Sequence, residues 1–383
     1  MNRLFHKGIY FFIYFLPLCS FSQYKVTITV RQPSILHSVD HLFVAGNFNS
    51  WKPGEKNFEL TNNNDGTSTA TFSLAAGEYQ YKITRGSWEK VETQSDGRNI
   101  QNRELKLSKD TVIEIDVKGW MDDFETGIRV KTHTASKNVS ILDSAFFMPQ
   151  LKRYRRIWIY LPPGYATSKK HYGVLYMQDG QNLFDNATSF AGEWNVDEFL
   201  DSISLLHQRE VIVVGIDNGL ATRITEYDPY PFREYRNPEG DQYVDFLVKT
   251  LKPFIDKHYH TKNSKENTFI AGSSMGGLIS LYAVVKYPDV FGGAGIFSPA
   301  LWTASGIDSA VAARSGKIKS KLFFYAGEKE GPEMIPDMRK IEGEIHGRSS
   351  SLLKEIIDKD ATHNEAAWRK HFPDFYTWVI EQK

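Results

Sequence analysis

The stretch FIAGSSMGG, residues 269–277, ends an apolar run in small residues and resumes as LISLYAVV. Gly272-Ser273-Ser274-Met275-Gly276 within it has the G-x-S-x-G spacing of a nucleophile elbow. There a serine stands on a turn between strand and helix too tight for side chains beside it. A serine hydroxyl attacks only when a base takes its proton, and that base needs a third group to orient it. On an elbow of this kind the partners follow in the order serine, acid, histidine. The histidines after Ser274 are His346, His363 and His371. His346 falls in a helical-looking segment and His371 in the final helical pattern. His363, in KDATHNEAAW, lies between the last strand and the last helix, where a loop can bring it over the serine.

The acid is expected after the strand KLFFYAG, whose loop offers Glu328, Glu330 and Glu333, with Asp337 beyond. Glu330 has the G-x-x-acid spacing from the glycine that closes the strand, and Glu333 is next in order. A tetrahedral intermediate also needs two N–H donors. Met275 follows the nucleophile and supplies one. The loop in VLYMQDGQNLFD supplies the other, with the Gln181 backbone as the candidate.

These residues need elements to hold them. Residues 24–117 carry short alternating strands (KVTITV, HLFVAG, STATFSL, YQYKIT, TVIEIDV) separated by turn clusters such as NNNDGT. That pattern predicts a compact β-sandwich over 23–118. Residues 119–136 lose it and read as a linker. From 137 onward near-continuous apolar strands (RRIWIYLPP, YGVLYMQDG, EVIVVGIDNG, NTFIAGSS, VFGGAGIFSP, KLFFYAGEKEG, SLLKEIID) alternate with helical stretches. This predicts a mostly parallel sheet covered on both faces, with working residues at the carboxyl ends of its strands.

The chain has 383 residues, and its 46 Lys plus Arg balance 46 Asp plus Glu, so no basic field exists to hold nucleic acid or an anionic membrane. Arg3 and Lys7 precede the run IYFFIYFLPL, and Ser20-Phe21-Ser22 follows. This reads as an export signal over 1–22, too short and too broken by Pro17 for a stable membrane span. The single cysteine, Cys19, would leave with the signal, so the exported protein is expected to be held by core burial alone.

Taken together, IYLPPGY, LYMQDGQNLFD, GEWNVDE, VGIDNG with RITEYDP, AGSSMGG, YPDVFGGAGIFSPALW and YAGEKEG resemble the esterase D group of α/β-hydrolases. That group includes enterochelin, feruloyl and acetylxylan esterases. The resemblance implies an α/β-hydrolase body acting on esters, with Ser274, Glu330 and His363 as its triad and no metal or organic cofactor. Relatives carry histidine where this chain has Gln178. The front module resembles starch- and glycogen-binding immunoglobulin-like modules through HLFVAGNFNSWKP and GEYQYKITRGSWEKVE. This places Trp51, Lys82 and Trp88 on a sugar-stacking surface, with a packing role for the tryptophans as the plain alternative.

Asp179, Arg223, Tyr227 and Trp302 are the candidate substrate contacts. Arg223, Arg233 and Arg236 would suit an anionic siderophore, unless they pair with Glu226, Asp228 and Glu234 on the same stretch. The expected substrates are acyl esters of polysaccharides or a siderophore ester. A glycan-binding protein without catalysis, and an acyltransferase using the same triad, are the other classes open to this sequence.

Overall fold

The structure, a computed structural model, describes residues 23–32, 37, 40–63, 65–95, 97, 99–123, 133–190, 192–204, 209–233 and 235–380. The expected export signal lies outside them. Packing divides the chain into two units, Met1–Arg129 and Val130–Lys383.

The first unit is all β. Its strands are β1 (Gln23–Arg31), β2 (Leu42–Gly46), β3 (Glu59–Asn62), β4 (Thr67–Ala75), β5 (Gly77–Thr84), β6 (Glu92–Thr93), β7 (Arg103–Leu107), β8 (Thr111–Asp116) and β9 (Gly119–Trp120). Seven of them run in the order β7-β5-β2-β3-β4-β1-β8, and β6 pairs with β9. The short β3 turns the corner, pairing with β2 through Leu60 and Glu59 and with β4 through Thr61 and Asn62. Alternation along β1 sends Val26, Ile28 and Val30 into the core. Thr27 and Thr29 point outward, where they meet Thr71 and Thr69 of β4 hydroxyl to hydroxyl. One expectation is corrected here. The segment read as a linker opens with a paired strand, and its Trp120 is fully buried in this unit's core. Residues 124–132 of that segment lie outside the described residues.

The second unit contains β10 (Val139–Met148), β11 (Arg153–Tyr160), β12 (Gly173–Gln178), α1 (Val196–Ser204), β13 (Val211–Ile216), α2 (Arg223–Tyr227), α3 (Gly240–Phe246), α4 (Lys252–His258), β14 (Thr268–Ser273), α5 (Met275–Lys286), β15 (Gly293–Phe297), α6 (Ile307–Arg314), β16 (Lys321–Gly327), α7 (Met334–His346), β17 (Leu352–Asp358) and α8 (Glu365–Phe375). The sheet runs β10-β11-β13-β12-β14-β15-β16-β17. It is parallel from β13 to β17 and antiparallel at the β10–β11 end.

Strands β12, β13, β14 and β15 are buried at every residue, because helices cover both faces. One face packs Ile212, Val214, Ile270 and Ile296 against Leu278, Leu281, Leu251 and Met338. The other packs Val213, Phe269 and Phe323 against Leu200, Phe372 and Phe375. Helices α3 and α4 join through a widened π-helical turn, Leu247–Leu251. Pro253 follows at the start of α4, where its missing N–H is accommodated.

Candidate active site

Ser274 sits between the last residue of β14 and the first of α5, with φ 57° and ψ −121°. A side-chain-bearing residue avoids that region at a cost of about 1–3 kcal/mol, so the surroundings must hold it there. They do. Its N–H donates to the Phe297 carbonyl at 2.9 Å, and its own carbonyl accepts from Leu278 and Ala300. The glycines are required by space. A Cβ on Gly272 would lie 2.7 Å from the Gly276 carbonyl carbon, one on Gly276 3.0 Å from Gln178 Cβ, and one on Gly277 2.7 Å from the Phe297 oxygen. These contacts are why the apolar run breaks into small residues.

Glu330 folds back over the end of β16. Its Oε1 accepts from the Gly327 N–H at 2.7 Å and from Ser298 Oγ at 2.8 Å. Its Oε2 meets His363 Nδ1 at 2.8 Å, and its side chain is sealed from solvent. Trp368 Nε1 donates to Ser298 Oγ at 2.9 Å, which leaves the Ser298 proton for Glu330. Gly327 must be glycine, since a Cβ would stand 2.9 Å from Glu330 Oε1 and 2.4 Å from the Ala361 carbonyl. The acid and histidine loops are stitched together by Glu328 N–H to the Asp358 carbonyl and Lys329 N–H to the Ala361 carbonyl. The His363 ring lies edge-on to Trp368 at 5.0 Å and 6.4 Å from the Trp302 ring. Neither Ser274 Oγ nor His363 Nε2 is hydrogen-bonded among the described residues, which leaves both free for a substrate.

The other candidates separate. His346 is exposed at the end of α7, and Glu333 is exposed at the start of that helix. His371 is bonded to Asp358 and Asp374 and stacked on Tyr325.

Met275 N–H, at the first position of α5, has no intrahelical partner. Gln181 lies on the turn Gly180–Asn182 that follows β12; its side-chain oxygen accepts from Asn218 N–H at 3.0 Å and its carbonyl from Thr188 Oγ1 at 2.7 Å. The turn lies next to the start of α5, because Asp179 Oδ2 is 3.1 Å from the Cβ position of Gly276.

The expected substrate contacts need correcting. Arg223 grips Asp179 with two bonds of 2.7 and 2.8 Å, and Asn218 adds a third donor at 2.7 Å. These two charges satisfy each other beneath the elbow. Tyr227 is fully buried against Tyr243 at 5.0 Å and cannot touch a substrate. Gln178 is also buried, its Oε1 accepting from Tyr243 O–H. Trp302 is the most open of the four contacts, at 51% exposure, while the Arg223 side chain is a quarter exposed. Among the described residues Glu226 and Asp228 make no ion pair with Arg223, Arg233 or Arg236, and Glu234 lies outside the described residues. Glu226 is held by Arg153 and Arg155, each at 2.7 Å, and burial pushes the Asp228 carboxyl up to about 6.

Ser298 and Trp368 were not singled out in the sequence. Ser298 lies in GIFSPALW at φ 43°, fully buried, and a serine after an apolar strand gives no local sign that it will meet an acid thirty-two residues later.

In the first unit the Trp51 and Trp88 rings are 6.2 Å apart at 44°, both half-buried, and Lys82 Nζ donates to the Ile100 carbonyl at 2.6 Å.

A mostly parallel sheet with a serine elbow after a central strand and an acid–histidine pair after later ones defines an α/β-hydrolase. Residues 149–378 match the family described as "Putative esterase", and the chain belongs to that family of ester hydrolases. Residues 40–118 match the family described as "Pullulanase X25 domain", a starch-binding-like module.

Among curated proteins, the uncharacterized protein YbbA of Bacillus subtilis is 27% identical over 59% of this chain and 92% of its own length. An endo-1,4-beta-xylanase/feruloyl esterase of Xylanibacter ruminicola is 27% identical over 55% of this chain and 27% of its own length. An alpha-amylase of Niallia circulans is 36% identical over 26% of this chain and 8% of its own length. Among solved structures, an enterochelin esterase from Shigella flexneri superposes with TM-score 0.53 at 16% identity, over 93% of this chain and 92% of its own. A ferulic acid esterase gives 0.50 at 16% identity, over 63% and 97%. These two likenesses are of fold.

Proposed function

We propose that this protein is an exported serine carboxylesterase that works through an acyl-enzyme. The observation that carries the reading is the 2.8 Å bond from His363 Nδ1 to a solvent-sealed Glu330, in a fold that strains Ser274 onto an elbow. Glu330 holds the proton on Nδ1, so Nε2 is the basic nitrogen. Nε2 takes the Ser274 proton as Oγ attacks the ester carbonyl. The N–H groups of Met275 and Gln181 receive the oxyanion, and each such donor is worth about 10²–10³ in rate. The protonated histidine then gives its proton to the leaving alcohol. Water repeats the sequence on the acyl-serine and frees the acid.

The reading of the substrate class as feruloyl or acetyl esters of polysaccharides, or an enterochelin-type ester, is supported by the names of the feruloyl and enterochelin esterases that the chain resembles. Glycan binding by the first unit is a second role, supported by the match of residues 40–118 to the pullulanase X25 domain and by the half-buried Trp51 and Trp88 rings, 6.2 Å apart within it. Export is proposed on the basic-then-apolar character of residues 1–22.

The test is turnover of 4-nitrophenyl acetate, methyl ferulate, acetylated xylan and a ferric catecholate triester by the chain from Gln23 onward, beside Ser274→Ala. Turnover of any of them that vanishes in the variant, by about 10⁶-fold in kcat, supports the nucleophile. Equal inertness on all four, or equal activity of the two proteins, sinks it.

A further inference from the structure

The segment that leaves β15 touches both the nucleophile and the acid. The Phe297 carbonyl accepts from Ser274 N–H at 2.9 Å, and Ala300 N–H donates to the Ser274 carbonyl at 3.1 Å. Between these two contacts stands Ser298. Its N–H donates to the Tyr325 carbonyl on β16 at 2.7 Å, and its Oγ lies 2.8 Å from Glu330 Oε1. The run 297–300 thus ties the elbow to the strand that carries the acid.

Backbone geometry does not call for a serine at this position. Its φ is 43°, in the left-handed region that side chains avoid, and a residue before proline, as Ser298 is before Pro299, is pushed toward extended backbone. Glycine would sit there without strain. The chain nevertheless holds a serine, fully buried. Strain kept at a buried polar residue points to a use for its side chain.

That use is visible at Glu330. The carboxylate must be an anion to orient His363, yet its side chain is sealed from solvent while His363 is a quarter exposed. A buried anion is stable only where donors meet it. Gly327 N–H and Ser298 O–H reach Oε1, and His363 Nδ1 reaches Oε2. The backbone donor is fixed by the turn, but a hydroxyl rotates, and its direction decides whether it donates at all. Trp368 sets that direction. Its indole N–H can only donate, and it donates to Ser298 Oγ at 2.9 Å, so the hydroxyl proton goes to Glu330. The same ring stands edge-on to His363 at 5.0 Å. One side chain of α8 therefore holds both the hydroxyl and the imidazole in place.

The charged and titratable groups around the pair come from several elements. Tyr325 on β16 lies in the field of Glu330, and its buried hydroxyl has no hydrogen-bond partner among the described residues. Glu365 on α8 lies in the field of His363, with Arg223 and Asp179 beyond it. Lys329, on the acid's own loop, pairs with Asp360, and His371 of α8 is bonded to Asp358 and Asp374.

We infer that Ser298 is a positioning residue of the triad: turned by Trp368, its hydroxyl keeps Glu330 ionised and aimed at His363, and so sets how readily the histidine takes the Ser274 proton. The inference rests on the esterase reading above and adds two residues to its machinery. Without the hydroxyl, the pair of Glu330 and His363 takes up a proton more readily, whichever group holds it, because the anion has lost a donor. The acid limb of kcat/KM, which reports protonation of the base, then moves to higher pH.

The experiment measures kcat, KM, the pH profile of kcat/KM on 4-nitrophenyl acetate and thermal unfolding for the wild type, Ser298→Gly and Trp368→Phe. Glycine suits φ 43°, so Ser298→Gly removes the hydroxyl and relieves the backbone together. It should lower kcat by about 10- to 100-fold, the usual effect of one hydrogen bond to a charged group, with KM within about threefold. Its acid limb should move up by about one pH unit. Trp368→Phe keeps a ring beside His363 and loses the N–H, and should shift kcat and the limb the same way by about half as much on a logarithmic scale. A serine that only packs would change the melting temperature and leave the limb in place. An unmoved limb in Ser298→Gly, or a kcat within twofold of the wild type, overturns the inference, while wild-type turnover keeps the esterase. If Ser298→Gly does not fold, the limb of Trp368→Phe decides in its stead. A wild type inert on 4-nitrophenyl acetate overturns the esterase reading and this inference with it.

Discussion

Replacing Glu330 by glutamine changes one atom and should nearly silence the enzyme. In the native site Oε1 receives two donors, Gly327 N–H and Ser298 O–H, and Oε2 faces His363 Nδ1. A glutamine has one oxygen to place. Put toward Gly327 and Ser298, it satisfies both donors but turns its NH₂ on His363. Nδ1 must then accept, the ring proton moves to Nε2, and no base faces Ser274. Turned the other way, the oxygen serves His363 but leaves the buried Gly327 N–H against an NH₂ group, at a cost of about 1–3 kcal/mol. The unproductive tautomer is therefore favoured by roughly 5- to 150-fold. The imidazolium that forms during attack also loses its counter-charge. Together these effects should lower kcat on 4-nitrophenyl acetate by about 10⁴. The side chain keeps its shape, so thermal unfolding should shift by only a few degrees, which separates lost chemistry from lost fold. Activity within tenfold of the wild type would refute the assignment of Glu330 as the orienting acid and send the search to Glu333.

Three further outcomes can be measured. Gly272→Ala places a methyl 2.7 Å from the backbone of Gly276, which cannot yield, so about 1–3 kcal/mol of stability and most of the activity should be lost together; an unchanged melting temperature would contradict the crowding. Asp197 is fully buried, and burial with the neighbouring Glu198 pushes its carboxyl up to about 7. The folded chain thus keeps a proton that the unfolded chain releases near pH 4, so this contribution to stability is full below pH 4 and lost as pH rises to 7. Asp197→Asn retains an acceptor for Ser136 N–H and should lose about 2 kcal/mol less than the wild type between pH 5 and 7.5, with parallel melting curves as the contrary result. In the first unit, Trp88→Ala should abolish retention on insoluble starch while leaving 4-nitrophenyl acetate turnover within twofold; equal retention would return Trp51 and Trp88 to packing.

Much of this protein could be read along the chain. The parallel strands announce themselves as apolar runs because both faces of each are covered, and the elbow shows in its glycines because a methyl there would strike backbone. His363 stood out for its place between β17 and α8. Strand β10 was not legible. It is an edge strand with six of its ten residues exposed and register shifts at Asp143 and Phe146, so its alternation is broken where periodicity would be sought. Trp120 was hidden for the opposite reason, as a two-residue strand too short to have a period.

The sequence by itself determined the fold class, the nucleophile turn and the order of its candidate partners, because burial pattern, glycine sterics and chain order are local properties. Only the tertiary structure decided how the charges are spent. Arg223 was available on paper to a substrate and is gripped by Asp179; Glu226 was its near neighbour and belongs to Arg153 and Arg155; Glu330 is held by Ser298, which Trp368 holds in turn. Ion pairs and buried hydrogen bonds form between residues that the sheet brings together from distant parts of the chain, and a carboxylate's partner is set by distance in space, which spacing in sequence does not encode.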